Sequence, residues 1–100
     1  MPKLPIRDQF ILFHKANPDI YDLFERFTLE ALKTGMTKVG AKFVFERIRW
    51  ELYVATTGKT YAPLAGRLVK LNNNYTAWYA RLFMAKNRSY KGVFELRRKT

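Results

Sequence analysis

Apolar residues recur along most of this chain with the 3.6-residue period of an α-helix. The clearest stretch is PDIYDLFERFTLEALKTG, where Ile20, Leu23, Phe24, Phe27 and Ala31 stand at i, i+3, i+4, i+7 and i+11. Asn17 suits an N-cap, and Pro18 suits the first helical position, where a missing N–H is no loss. Asp19 and Asp22 lie at the favourable end of the helix dipole, Lys33 lies at the other, and Gly35 reads as the residue that closes the helix. A shorter first helix precedes it, from about Arg7 to Lys15.

A third helix is predicted over Gly40 to Val54, with Ala41, Phe45, Ile48 and Leu52 as its stripe. Phe43, Val44, Trp50 and Tyr53 widen that stripe. The expectation is therefore a central helix with Trp50 buried. Residues 56–71 read as a long loop or hairpin, in which RLVKL can pair as a short strand and Gly58 ends the helix before it. A fourth helix follows, capped by Asn72 or Asn73, with Tyr75, Trp78, Tyr79, Leu82 and Phe83 on its apolar face. NRSYKG breaks it, and Val93, Phe94 and Leu96 form a last strand. The predicted fold is mainly α with a minimal β element (α+β). It has three to four helices and a short two-stranded antiparallel sheet, in a winged or extended helix-turn-helix-like arrangement.

One hundred residues make one domain, and 48% apolar content with sixteen aromatics is enough for a packed core. The absence of cysteine removes disulfides and thiolate chemistry. No stretch has the apolar length of a membrane span or the pattern of a signal peptide, so a cytoplasmic protein is expected. Charge changes the picture most. The net charge is +11, distributed unevenly: residues 1–51 carry nine basic and seven acidic groups, whereas residues 52–100 carry ten basic groups and one carboxylate, Glu95. Such a one-sided excess points to a polyanionic partner.

Candidate chemistry follows from that charge. Asparagine can bond adenine bidentately in the major groove, and a helix N-terminus can meet phosphate, so Asn73 and Asn74 are candidate contacts. Thr76 and Ala77 are small enough for close approach, and Arg81 stands two turns beyond Asn74 on the same side. Arg88, Lys91, Arg97, Arg98 and Lys99 are candidate phosphate grips, the last three in a basic tail over 97–100. Arg49, Arg67 and Lys70 are secondary candidates, although ERIRWE reads first as a structural helix segment with an Arg47–Glu51 pair. Tyr61 and Tyr90 are the aromatics expected to be exposed, and Tyr75 and Tyr79 are expected in the core. His14 is the sole histidine, and no paired carboxylates, P-loop or dinucleotide motif is present. No enzyme activity, metal or cofactor is therefore expected.

The blocks FHKANPDIYDLFERF, RIRWE, NNNYTAWYARLFMAKN and YKGVFELR, in this order, resemble a group of small proteins encoded by bacteriophages and prophages. The resemblance covers most of the chain outside residues 56–69. It implies a phage-related origin in a bacterial cytosol, and no activity or site residue comes with it. The residues themselves support two functions: a nucleic-acid-binding module, double-stranded DNA before RNA, or an effector that binds a host protein or nucleoprotein complex of the CRISPR-surveillance or RNA polymerase type.

Overall fold

The computed structural model describes residues 3–56 and 71–94. Among these residues there are four α-helices: α1 (Ile6–Ala16), α2 (Pro18–Lys33), α3 (Ala41–Thr56) and α4 (Thr76–Lys86). Single 3-10 turns precede and follow α4, at Asn73–Tyr75 and Arg88–Tyr90.

The first two helices meet at one residue. Pro18 occupies the first turn of α2 as its sequence predicts, but Asn17 does not cap α2 with its side chain. Both its amides turn back instead: the backbone N–H and Nδ2 donate to the Phe13 carbonyl at 2.9 and 3.2 Å. Asn17 thus closes α1, and proline needs no donor partner on the other side. At the far end of α2, Thr34 and Gly35 donate to the last carbonyls, and Gly35 takes φ +101°, a conformation that disfavours any side chain.

The core lies on the predicted stripes. Ile20, Leu23, Phe24 and Phe27 of α2 meet Val44, Phe45, Ile48 and Leu52 of α3, and Tyr75, Tyr79, Ala80 and Phe83 of the fourth helical segment. Tyr79 is the hub. It is fully buried, and its ring lies 4.9 Å from Phe10, 5.5 Å from Phe24 and 5.6 Å from Phe45 between centroids. Helices α3 and α4 run antiparallel, since Phe45 meets Tyr79 while Arg49 meets Asn73.

Two expectations are corrected here. No β-strand occurs among the described residues, so the two-stranded antiparallel sheet and the winged arrangement built on it are absent. Val93 and Phe94 are buried as apolar residues, and Phe94 forms one isolated parallel bridge with Val39 in the α2–α3 link. A 2.9 Å hydrogen bond from the Val39 N–H to the Val93 carbonyl fixes that pair. One bridge is all that the link permits, because Ala41 already begins α3 and Gly92, at φ +88°, has just turned the chain. Of RLVKL only Leu71, which is buried, is described; its other residues, Gly58 and Leu96 lie outside the described residues.

The second correction concerns which helix is central. That helix is α2, which packs against α1, α3 and α4. Helix α3 buries one stripe and leaves Phe43, Trp50 and Tyr53 about 60% exposed on the opposite side. Its sequence is apolar all round, which normally signals full burial, yet these three side chains stay largely exposed.

Candidate nucleic-acid interface

The α4 segment is anchored at both ends, and that sets which side chains it presents outward. At its start, the Asn72 Oδ1 accepts from the Asn74 N–H at 2.9 Å, which makes Asn72 the N-cap. Arg49 reaches across from α3. Its guanidinium donates to the Leu71 carbonyl at 3.2 Å and to the Asn73 Oδ1, and it also bonds Glu46 on its own helix. Asn73 therefore serves the chain itself: its side chain is clamped by Arg49, and its carbonyl accepts from the Thr76 hydroxyl at 3.0 Å. At the other end, Asn87 donates to the Phe83 carbonyl and, at 3.1 Å, to Glu25 of α2. Tyr21 donates to the same carboxylate at 2.8 Å, and Lys86 lies over the Tyr21 ring. Burial, and then the bond to Glu25, push the Tyr21 hydroxyl well above its ordinary range.

Between these anchors Ala77, Arg81 and Ala85 stand at i, i+4 and i+8 of α4, one strip on the side away from the core, with Asn74 in the turn before it and Arg88 in the turn after it. Asn74, Arg81, Ala85 and Arg88 are exposed, and Ala77 and Thr76 are half-buried. The Arg81 guanidinium rests 4.8 Å from the centroid of the half-buried Trp78 ring, which orders the cation without neutralising it. Lys91 is exposed just past Arg88. From Leu52 to Phe94 the sequence holds no carboxylate. Arg26–Glu30, Arg47–Glu51 and Arg49–Glu46 form ion pairs, and Arg81, Arg88 and Lys91 form none among the described residues.

Of the predicted contacts, Asn74, Arg81, Arg88 and Lys91 are exposed and Thr76 and Ala77 half-buried, and Ala77 and Arg81 share one side of α4. Asn73 and Arg49 hold the start of the α4 segment in place. Arg67, Lys70, Arg97, Arg98 and Lys99 lie outside the described residues, as does Tyr61; Tyr90 is exposed and Tyr75 and Tyr79 are buried as predicted. Ala85 was missed by the sequence reading, although its position on the strip is set by the same period. His14 stacks on Phe10 and faces Tyr79 edge-on, packed at the meeting of α1, α2 and α4. Burial and the nearby Lys86 lower its basicity, against a smaller opposite effect of Asp22. No group of three His, Asp or Glu side chains able to hold a metal, and no helix long and apolar enough to cross a membrane, occurs among the described residues. No protein-family model, curated protein or solved structure matches this chain.

Proposed function

We propose that this protein binds duplex DNA by laying the outer strip of α4 into the major groove, with Arg88 and Lys91 on the phosphates beside it. The observation that carries this reading is the strip itself: alternating small and cationic side chains, free of carboxylates and held at both ends. Ala77 and Ala85 let the helix axis approach closely, Arg81 reaches base edges or phosphate, and Asn74 is spaced for an adenine contact. The reading is of a binding protein acting in the cytosol of a phage-infected bacterium, the setting its sequence resemblance implies.

Arg81, Arg88 and Lys91, which form no ion pair among the described residues, neutralise about three phosphates in this reading, which gives a slope near −2.7 in log K against log salt. The test is fluorescence anisotropy with labelled random-sequence duplex at several salt concentrations. Arg81→Ala and an Arg88→Ala/Lys91→Ala pair are each expected to weaken binding several-fold and to flatten the slope, by about one and two units respectively. Absence of binding at 50 mM salt, or variants indistinguishable from the parent, refutes the proposal.

A further inference from the structure

Granted duplex binding by the α4 strip, on which this reading rests, we infer that the groove beside Tyr90 takes an unpaired nucleobase, so that the protein prefers a duplex ending in a single-stranded overhang. A groove of about 630 Å³ lies where the end of α2 and the α2–α3 link face the 3-10 turn after α4 and the residues beyond it. That volume falls within the ~300–1,000 Å³ of small-ligand sites. Leu29, Leu32 and Val93 give it apolar walls, and Tyr90 lines it as well. The Tyr90 ring leans on the buried Phe83, 6.2 Å between centroids, and the residue still keeps 38% of its surface exposed. Its backbone is held on both sides: the Tyr90 N–H donates to the Asn87 carbonyl at 2.9 Å, and the Tyr90 carbonyl accepts from the Val93 N–H at 3.1 Å. The two walls are tied to each other, because Lys38 Nζ donates to the Gly92 carbonyl at 3.3 Å and the Val39 N–H to the Val93 carbonyl at 2.9 Å. The groove therefore stands ready before any ligand arrives.

The lining itself selects the occupant. No carboxylate lines this groove; its polar side chains are Lys33, Thr37 and the Tyr90 phenol. Arg88 and Lys91 flank Tyr90 in the chain, and both are exposed. Lys33, Arg88 and Lys91 form no ion pair among the described residues, whereas Glu30, one turn before Lys33 on α2, pairs with Arg26 at 3.6 Å. An exposed aromatic ring over an apolar cleft, with cations around it, is the arrangement that binds an unpaired base: the ring stacks and the cations hold the backbone. A free anion uses the cations alone and leaves the ring and cleft idle, while a base with its phosphate uses both. A paired base cannot enter, because its faces are covered by its neighbours in the stack. Arg88 and Lys91 are the residues assigned to the duplex phosphates, and Tyr90 lies between them in sequence, so a strand leaving the bound duplex at that end meets Tyr90 next.

The probes are labelled duplexes of one sequence, blunt, with a short thymine overhang of either polarity, or with an abasic overhang of the same length, titrated by anisotropy against the full chain. One overhang polarity is expected to bind at least ~5-fold tighter than the blunt duplex, the factor that one stacked base supplies. The abasic overhang, which carries the same phosphates, is expected to give no such gain. Tyr90→Ala should abolish the gain and leave blunt-duplex binding unchanged, and Tyr90→Phe should keep it. Lys33→Ala, at an exposed position, should lower the gain without touching the Phe83 contact, so the test survives if circular dichroism shows Tyr90→Ala to have lost helix. A 2-aminopurine placed in the overhang should lose fluorescence on the parent and keep it on Tyr90→Ala. Equal binding of blunt and overhang duplexes, an equal gain from the abasic overhang, or a gain that outlasts both Tyr90→Ala and Lys33→Ala overturns the inference and leaves duplex binding standing. Arg81→Ala should weaken every duplex alike and preserve their ratio. Binding of none of these DNAs overturns both readings together.

Discussion

Tyr79 provides a sharp test of how the core is held. Its ring is fully buried among Phe10, His14, Tyr21, Phe24 and Phe45, and its hydroxyl has no hydrogen-bond partner. Burial, with smaller contributions from Tyr75 and Asp19, holds that hydroxyl neutral far above the ordinary phenol range. A buried unsatisfied polar group costs about 1–3 kcal/mol. Tyr79→Phe removes the hydroxyl and leaves every ring contact in place. It is expected to stabilise the fold by about 1 kcal/mol, which raises the midpoint of thermal unfolding by roughly 4–8 °C in a domain of this size. Tyr79→Ala removes the ring as well and is expected to cost about 3–5 kcal/mol through the cavity left behind. Urea unfolding followed by circular dichroism measures both, with an unchanged urea dependence confirming that only stability has moved. If Tyr79→Phe destabilises by 1 kcal/mol or more, the hydroxyl is satisfied in solution by a bound water, and the reasoning is refuted.

Two further outcomes follow from other parts of the fold. Arg49→Ala should loosen the entry to α4, costing about 1 kcal/mol because the clamp is partly solvent-exposed, and hydrogen exchange at the Asn74 amide should accelerate. Arg49→Lys should not restore protection, since one ammonium cannot span Glu46, Leu71 and Asn73 together. His14 has a folded-state pKa below its ordinary 6.5, so the unfolded chain takes up a proton first as pH falls. Stability from this group is complete above about pH 6.5 and is lost on acidification below it. Melts at pH 7.5 and 5.5 should differ in that direction, and His14→Gln should reduce the difference.

The helices were legible because each carries a single dominant period bounded by real stop signals: Asn17-Pro18, Gly35, the asparagine run and Asn87. Trp50 misled because α3 is apolar on two sides, and no periodicity tells which side finds a neighbour. That choice is made by the antiparallel placement of α4 against Phe45 and Arg49, a long-range contact. Val93 and Phe94 misled for a related reason. Branched and aromatic residues at a chain segment's end suit a strand, but equally suit two buried positions in an irregular segment, and the short link at Val39 leaves room for one bridge. At the candidate interface, the line through Ala77 and Arg81 could be drawn from spacing alone. The diversion of Asn73 to Arg49 could not, because it depends on the packing of residues 24 apart in the chain.

The Val39–Phe94 bridge has a consequence for how the protein is made. Phe94 stacks on Phe24 and meets Phe83 edge-on, so the last described residues close the core and tie back to the link between α2 and α3. While the chain emerges from the ribosome, the apolar faces of α2 and α3 wait for α4 and then for Phe94, for seconds at ordinary elongation rates. Any fragment that stops at Gly92 lacks both the tie and two buried side chains. Such a fragment should hold its helices while exposing the core, and it would be a ready substrate for chaperones and proteases. Synthesis through Phe94 is thus a checkpoint for this fold.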